Sequence, residues 1–164
     1  MISTKEKNYL FSLLNDLGKE AENIKIRKIQ NELKNDGSPL SEADILVNNS
    51  LNEFFRKTDY QNIISEENKK IDYVERKSWD WYWLVDPIDG TKEFLNKSND
   101  YTINVALCLN EYPIFSIVYA PGRNELFFAE KGKGAYKNGV QIHSNQSIEK
   151  KINIVASKSH LSKE

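Results

Sequence analysis

Residues 83–91 read WLVDPIDGT, and they determine the structure expected around them. The apolar beginning indicates the end of a buried strand, and the Asp-Pro-x-Asp-Gly segment has the composition of a tight turn. Pro87 fixes φ and Gly90 relieves backbone strain, so Asp86 and Asp89 are expected to approach one point. Two such carboxylates repel each other unless a cation neutralises them, and oxygen ligands suit Mg²⁺ better than zinc. The segment therefore indicates a magnesium site or, as the simpler alternative, a surface turn.

The next residues, 91–94, have the character of the first turn of a helix. The free N–H groups of that turn and the positive end of the helix dipole would face the two aspartates, and such a place attracts phosphate. An EF-hand calcium loop is excluded by spacing, because that loop requires glycine at its sixth position and here Gly90 is fifth. Magnesium beside a phosphate-binding turn indicates phosphoryl chemistry.

Three motifs in order extend this interpretation: residues 34–44 (KNDGSPLSEAD), 64–67 (ISEE) and 83–94 (WLVDPIDGTKEF). Their order and spacing resemble those of the inositol monophosphatase superfamily. The DGTKEF run, together with VYAP at 118–121 and SKSH at 157–160, is most similar to the 3′(2′),5′-bisphosphate nucleotidases of the CysQ type. The resemblance covers nearly the whole chain and implies an α+β fold, a layered sandwich of helices and sheet.

The resemblance also implies a role for each matching residue. The implied metal ligands are oxygen donors: Glu66, Asp86, Asp89 and the backbone carbonyl of Ile88. Asp44 and the Thr91 hydroxyl would orient the attacking water, and two or more Mg²⁺ ions would activate it and hold the reacting oxygens. The implied contacts to the substrate are Gly90, Thr91, Lys158 and His160.

Structural alternatives stand beside these roles. Glu66 could form a solvated acidic pair with its neighbour Glu67 at a strand end. The run Ser41-Glu42-Ala43-Asp44 has the Ser-x-x-acid pattern that caps helices, and Asp44 can cap and act in chemistry together. Lys158 and His160 could equally belong to an exposed C-terminus.

Composition limits the classes of partner. The 164-residue chain has a net charge of −1, which gives no electrostatic case for binding polymeric nucleic acid or a membrane surface. Lys and Arg are spread along the chain, so any nucleotide ligand would be small, and the resemblance implies a small phosphomonoester as the partner. The lone cysteine, Cys108, excludes an intramolecular disulfide and is expected to pack in the core. We see no secretory segment and no apolar stretch of spanning length, so a cytoplasmic protein is the default, with peripheral association with the inner membrane as an alternative.

Hydrophobic periodicity predicts helices in the first third and strands in the second half. The predicted helices cover residues 10–18 and 41–55, with a strand pair between them around Ile24, Ile26 and Ile29. Residues 68–79 are expected to form a charged surface loop or hairpin. A strand meander is expected at 101–109, 113–119, 126–130 and 134–137. This pattern predicts an α+β fold rather than a doubly wound one.

The chain ends four residues after His160, whereas members of the superfamily continue and supply a further aspartate in a Trp-Asp-Thr-like motif. We therefore expect an N-terminal metal- and phosphate-binding domain at 1–150, and at 151–164 the start of a C-terminal domain whose remaining half is missing.

Three functions are compatible with the sequence. The first is Mg²⁺-dependent hydrolysis of adenosine 3′,5′-bisphosphate to AMP and phosphate. The second is an inositol or sugar monophosphatase of the same superfamily, and the third is an inactive metal-binding fragment.

Overall fold

The computed structural model describes residues 2–27, 31–33 and 39–144. Its elements follow the chain in this order: α1 (Thr4–Ile26), β1 (Asn31–Leu33), β2 (Pro39–Ser41), α2 (Glu42–Phe55), β3 (Ile63–Ser65), α3 (Tyr73–Arg76), β4 (Trp81–Asp89), α4 (Thr91–Leu95), β5 (Thr102–Leu109), β6 (Tyr112–Ala120), β7 (Glu125–Glu130), β8 (Gly134–Lys137) and β9 (Val140–Ile142). Helices gather in the first part and strands in the second, so the predicted α+β class is confirmed.

Strands β3 to β9 form one sheet in the described part of the chain, and each strand neighbours the next in chain order. β3 runs parallel to β4, and all later pairs are antiparallel. The predicted meander is therefore confirmed. Strand β9 was not predicted from the sequence. It follows a turn with positive φ at Asn138 and Gly139. That conformation suits a two-residue hairpin turn.

Helices α1 and α2 pack on one face of this sheet through aromatic contacts. Phe55 of α2 stacks on Trp83 of β4 with 4.2 Å between ring centroids, and Phe11 of α1 contacts Phe115 of β6. Phe55 and Trp83 have no exposed surface. Burying a side chain of this size stabilises the fold by roughly 1.5–3 kcal/mol, so these contacts hold the helices on that face. On the opposite face Leu84 is half-exposed.

The predicted end of the first helix at Gly18 was wrong. α1 continues to Ile26, so Ile24 and Ile26 are helical rather than part of a strand pair, and Ile29 lies outside the described residues. A Cβ atom at Gly18 would lie 2.5 Å from Cε1 of Tyr119. The glycine therefore allows close packing of α1 against β6 and does not end the helix.

Two further expectations concern the surface of the molecule. Residues 68–79 contain the single helical turn α3 rather than a hairpin. The expected domain boundary at 150/151 lies outside the described residues. Among the helices of the described ranges, none has both the length and the apolar character that crossing a membrane requires.

Candidate active site

The two aspartates lie on a bulged strand end, where the sequence predicted a tight turn. Asp86 pairs with Asn104 and Asp89 with Thr102, so three residue steps on β4 match two on β5. Pro87 lies inside this bulge, one of the few places in a sheet where a residue without a backbone N–H is found. Residues three apart on a regular strand point to opposite faces of the sheet. The extra residue of the bulge reverses that alternation and brings Asp86 and Asp89 to the same side.

Asn104 of β5 supports this geometry. It pairs with Asp86, yet its Nδ2 atom donates a hydrogen bond to Asp89 Oδ2 at 3.0 Å. Its Oδ1 atom is buried and has no hydrogen-bond partner among the described residues. Asn104 was not among the residues predicted from the sequence. The available signal was a single amide between Ile103 and Val105 in a mostly apolar strand.

Gly90 joins the bulge to α4, which begins at Thr91 as predicted. Its φ of 94° is in the left-handed region that favours glycine, and a Cβ atom there would lie 3.1 Å from the carbonyl oxygen of Asp100. The chain therefore turns from strand to helix within one residue. This turn brings the Thr91 hydroxyl to 3.1 Å from the carbonyl oxygen of Ile88.

Asp44 reaches the same place from the first turn of α2 and is 1% exposed. The backbone N–H of Ser41 donates to Asp44 Oδ2 at 2.8 Å, and the Ser41 hydroxyl donates to the same oxygen. The backbone N–H of Asp44 donates a hydrogen bond to Ser41 Oγ, which completes a capping box. The other carboxylate oxygen, Oδ1, lies 3.4 Å from Thr91 Oγ1. Asp44 thus caps α2 and faces Thr91, and its part in chemistry stays a prediction.

Glu66 comes to this end of the sheet from β3. Ser65 and Val85 are register partners in the parallel β3–β4 pair, and the Glu66 N–H donates to the Val85 carbonyl at 3.1 Å. Glu66 and Asp86 are therefore at corresponding positions on neighbouring strands. Glu66 is exposed, and its side chain is close enough to Asp86 to raise the pKa of that carboxyl.

Negative charge accumulates around Asp86, which is half-buried. Burial is the largest of the effects that raise the pKa of Asp86 to about 7, followed by the charges of Glu66, Asp89 and Asp44. The four carboxyl groups are thus within electrostatic reach of one another. A bound cation would reduce this repulsion.

The donor set fits a hard divalent cation in its chemistry, because carboxylate and carbonyl oxygens are the ligands that Mg²⁺ prefers. The residues that could hold it are Glu66, Asp86, Asp89 and the carbonyl of Ile88. Their side chains are not arranged as a complete coordination site: in the described ranges, no group of three or more His, Cys, Asp or Glu side chains is placed to hold a metal ion. Their assignment as ligands therefore stays a prediction.

Other candidates lie apart from this cluster or beyond the description. Lys158 and His160, the predicted substrate contacts near the C-terminus, are outside the described residues. Cys108 is 3% exposed, as expected for core packing, and burial raises the pKa of its thiol.

Comparison with known proteins shows which family the chain belongs to. The model of the inositol monophosphatase family matches residues 10–164. The chain is 36% identical, over 113 residues, to the 3′(2′),5′-bisphosphate nucleotidase CysQ of Aggregatibacter actinomycetemcomitans, covering 68% of this chain and 42% of that protein.

Two solved structures are similar in fold. CysQ from Bacteroides thetaiotaomicron has a TM-score of 0.66 and 33% identity, with 82% of this chain and 49% of that chain covered. An IMPase of Thermotoga maritima has a TM-score of 0.74 and 27% identity, with 87% and 55% covered. Both support the layered helix and sheet architecture. The chain spans about half the length of the curated relatives it matches.

Proposed function

This chain belongs to the inositol monophosphatase family, and we propose that its protein hydrolyses the 3′-phosphate of adenosine 3′,5′-bisphosphate to give AMP and inorganic phosphate. The observation that carries the proposal is the acidic cluster at the ends of β3 and β4. Glu66, Asp86 and Asp89 reach it from these two strands, and Asp44 reaches it from α2. A phosphatase of this class needs such a concentration of oxygen ligands to bind cations beside a phosphate.

Magnesium is the usual cofactor of the family. We propose that Glu66, Asp86, Asp89 and the Ile88 carbonyl hold it. When bound, Mg²⁺ would supply Lewis-acid stabilisation of the charge on the phosphate oxygens.

The Asp44–Thr91 pair is proposed to orient the attacking water. Two donors from Ser41 fix Oδ2 of Asp44, which leaves Oδ1 facing the Thr91 hydroxyl. That hydroxyl carries one proton, and both Asp44 Oδ1 and the Ile88 carbonyl are within reach to accept it. The lone pairs of Thr91 Oγ1 can then accept a hydrogen bond from water. Water oxygen would attack phosphorus, the bond to the 3′ oxygen would break, and that oxygen would take up a proton.

The substrate is proposed from the relatives rather than from the site. The Aggregatibacter CysQ is a 3′(2′),5′-bisphosphate nucleotidase and is 36% identical to this chain, and the Bacteroides CysQ is 33% identical. The second candidate, an inositol monophosphatase, is supported by the similarity to the Thermotoga IMPase at 27% identity. Both candidates use the same acidic cluster and differ in the group that carries the phosphate.

Phosphate release tests the proposal. The protein should be assayed with Mg²⁺ and either adenosine 3′,5′-bisphosphate or inositol 1-phosphate, and we expect the higher kcat/KM for the bisphosphate. The opposite preference would favour the inositol monophosphatase. Release of phosphate from neither substrate would contradict both candidates.

A further inference from the structure

Helix α2 carries a line of buried polar side chains. Asp44, Asn48 and Asn52 are spaced four residues apart and so lie on one face of the helix. They are 1%, 6% and 7% exposed. Buried amides are costly unless they are hydrogen-bonded, so the partners of Asn48 and Asn52 indicate what this face of α2 holds in place.

Those partners belong to the turn that carries Glu66. Ser65 Oγ donates to Asn48 Oδ1 at 2.6 Å, and Asn48 Nδ2 donates to Asn68 Oδ1 at 3.0 Å. Asn52 and Asn68 exchange two hydrogen bonds, each of 3.0 Å, between Nδ2 of one residue and Oδ1 of the other. We call Asn48, Asn52 and Asn68 the amide cluster.

The turn itself is closed by a backbone hydrogen bond. The Asn68 N–H donates to the Ser65 carbonyl at 3.3 Å, so Glu66 and Glu67 occupy its two central positions. Asn48 is hydrogen-bonded to Ser65 at the start of the turn, and both Asn48 and Asn52 are hydrogen-bonded to Asn68 at its end. The Glu66 N–H donates to the Val85 carbonyl of β4. The backbone of Glu66 is therefore attached to α2 on both sides and to the central sheet.

We infer that the amide cluster positions Glu66 relative to Asp44 and so sets the affinity of the acidic cluster for a divalent cation. One helix carries Asp44 directly and holds the Glu66 turn through the side chains of its next two turns. This inference rests on the proposed function, because it takes Glu66 as a ligand. Groups that orient metal ligands typically change metal affinity by about 10–100-fold when they are removed.

The test is Mg²⁺ binding by the whole chain, measured by isothermal titration calorimetry. Asn68→Ala removes partners of both Asn48 and Asn52, and we expect it to raise the Kd for Mg²⁺ by about tenfold or more. Asn62→Ala is the matched control. Asn62 lies at the other end of β3, and its Nδ2 donates to the Trp81 carbonyl at 3.1 Å. Its removal should leave the Kd unchanged.

A second variant separates positioning from stability. The double substitution Asn52→Leu with Asn68→Leu removes both partners of the two hydrogen bonds that these residues exchange, so among the hydrogen bonds between side chains of the amide cluster only the one from Asn48 to Asn68 loses one partner. This limits the loss of stability. Each protein is titrated at a temperature where circular dichroism shows it folded. We expect the double variant to bind Mg²⁺ as weakly as Asn68→Ala. Binding equal to that of the parent protein would overturn the inference.

Glu66→Gln distinguishes failure of this inference from failure of the proposed function. If Glu66→Gln weakens binding and the amide variants do not, the amide cluster has no positioning role and the metal assignment stands. If Glu66→Gln binds Mg²⁺ like the parent protein, Glu66 is not a ligand. The metal site of the proposed function and the inference about the amide cluster then both fail. If Asn62→Ala weakens binding as much as Asn68→Ala, any lost amide has this effect and the inference fails.

Discussion

Ser41 binds the carboxylate of Asp44 through both its backbone N–H and its hydroxyl, and both donors meet the same oxygen, Oδ2. The second oxygen, Oδ1, is thereby directed toward Thr91 at 3.4 Å. A helix cap and a candidate catalytic pair therefore share one side chain. The same motif occurs at the start of α1, where Ser3 and Glu6 form an exposed capping box.

This repetition gives a matched pair of substitutions. Ser41→Ala and Ser3→Ala should each lower the free energy of unfolding by about 1 kcal/mol, the usual effect of removing a helix cap. Only Ser41→Ala should also lower kcat for phosphate release, because only its cap orients Asp44. Urea unfolding and steady-state kinetics on both variants test this prediction. Equal activity in the two variants would show that the Ser41 cap is structural alone.

The Thr91 hydroxyl gives a second prediction. Thr91→Val keeps the shape of the side chain but removes the group that lies between Asp44 and the Ile88 carbonyl. We expect kcat to fall by about 100-fold or more, the typical contribution of a group that positions or transfers a proton, with little change in KM. Thr91→Ser keeps the hydroxyl and should retain most of the activity. Similar kcat values for the valine and serine variants would remove Thr91 from the mechanism.

Close packing at Gly18 predicts an effect on stability alone. Alanine is the better helix former by about 1 kcal/mol, yet its Cβ atom would lie 2.5 Å from the buried ring of Tyr119. Gly18→Ala should therefore lower the free energy of unfolding by about 1–3 kcal/mol, the usual effect of overpacking. Ser12→Ala, on the exposed side of the same helix, should change it by less than about 0.5 kcal/mol. A gain in stability for Gly18→Ala would show that β6 and Tyr119 can shift to accommodate the added methyl group without a net energetic cost.

The same glycine illustrates what the sequence could predict. Ser41 and Asp44 indicate a helix start through neighbouring residues, and that prediction was confirmed. The identity of a glycine inside a helical pattern does not show whether it ends the helix or admits a distant side chain. Tyr119 belongs to β6, so the reason for Gly18 emerges only in the folded structure.

The geometry of the candidate site also depends on residues that are distant in the sequence. The sequence placed the two aspartates after a strand, but the bulge that turns them to one side depends on the register with Asn104 and Thr102 of β5. The amide cluster was not predicted either, because asparagines are common in turns. Only the folded structure shows that these asparagines join α2 to the Glu66 turn by hydrogen bonds.

The partly buried carboxylate of Glu130, which pairs with two lysines, predicts a dependence of stability on pH. Glu130 accepts hydrogen bonds from Lys7 at 2.6 Å and Lys133 at 2.8 Å. Burial alone would raise the pKa of Glu130, but the hydrogen bonds from Lys133 and Lys7 outweigh it and hold the pKa below its ordinary value of 4.5. The stabilisation is therefore fully present above that value and is lost as the pH falls through the lower pKa of the folded state.

The measurement is urea unfolding of Glu130→Gln. At about pH 7 we expect a free energy of unfolding lower than that of the parent by roughly 1.5–3 kcal/mol, the range for hydrogen bonds to charged groups, and the difference should shrink toward about pH 3. Glu53→Gln is the control, because Glu53 pairs with Lys57 on the open surface and its removal should have no measurable effect. A difference for Glu130→Gln that does not change with pH would contradict the assignment of the pair.

Glu66, Asp86 and Asp89 are proposed to share a divalent cation, and Mg²⁺-dependent thermal unfolding tests whether they do. Mg²⁺ at about 100 times its Kd should stabilise the folded protein by about 2.7 kcal/mol, which corresponds to a rise in Tm of roughly 5–10 °C. Asp89→Asn should largely remove this rise. Asp80→Asn makes the same change of charge near the start of β4, away from the cluster, and should keep the rise. An equal rise in Tm for the parent protein and Asp89→Asn would show that Asp89 is not a ligand of the cation.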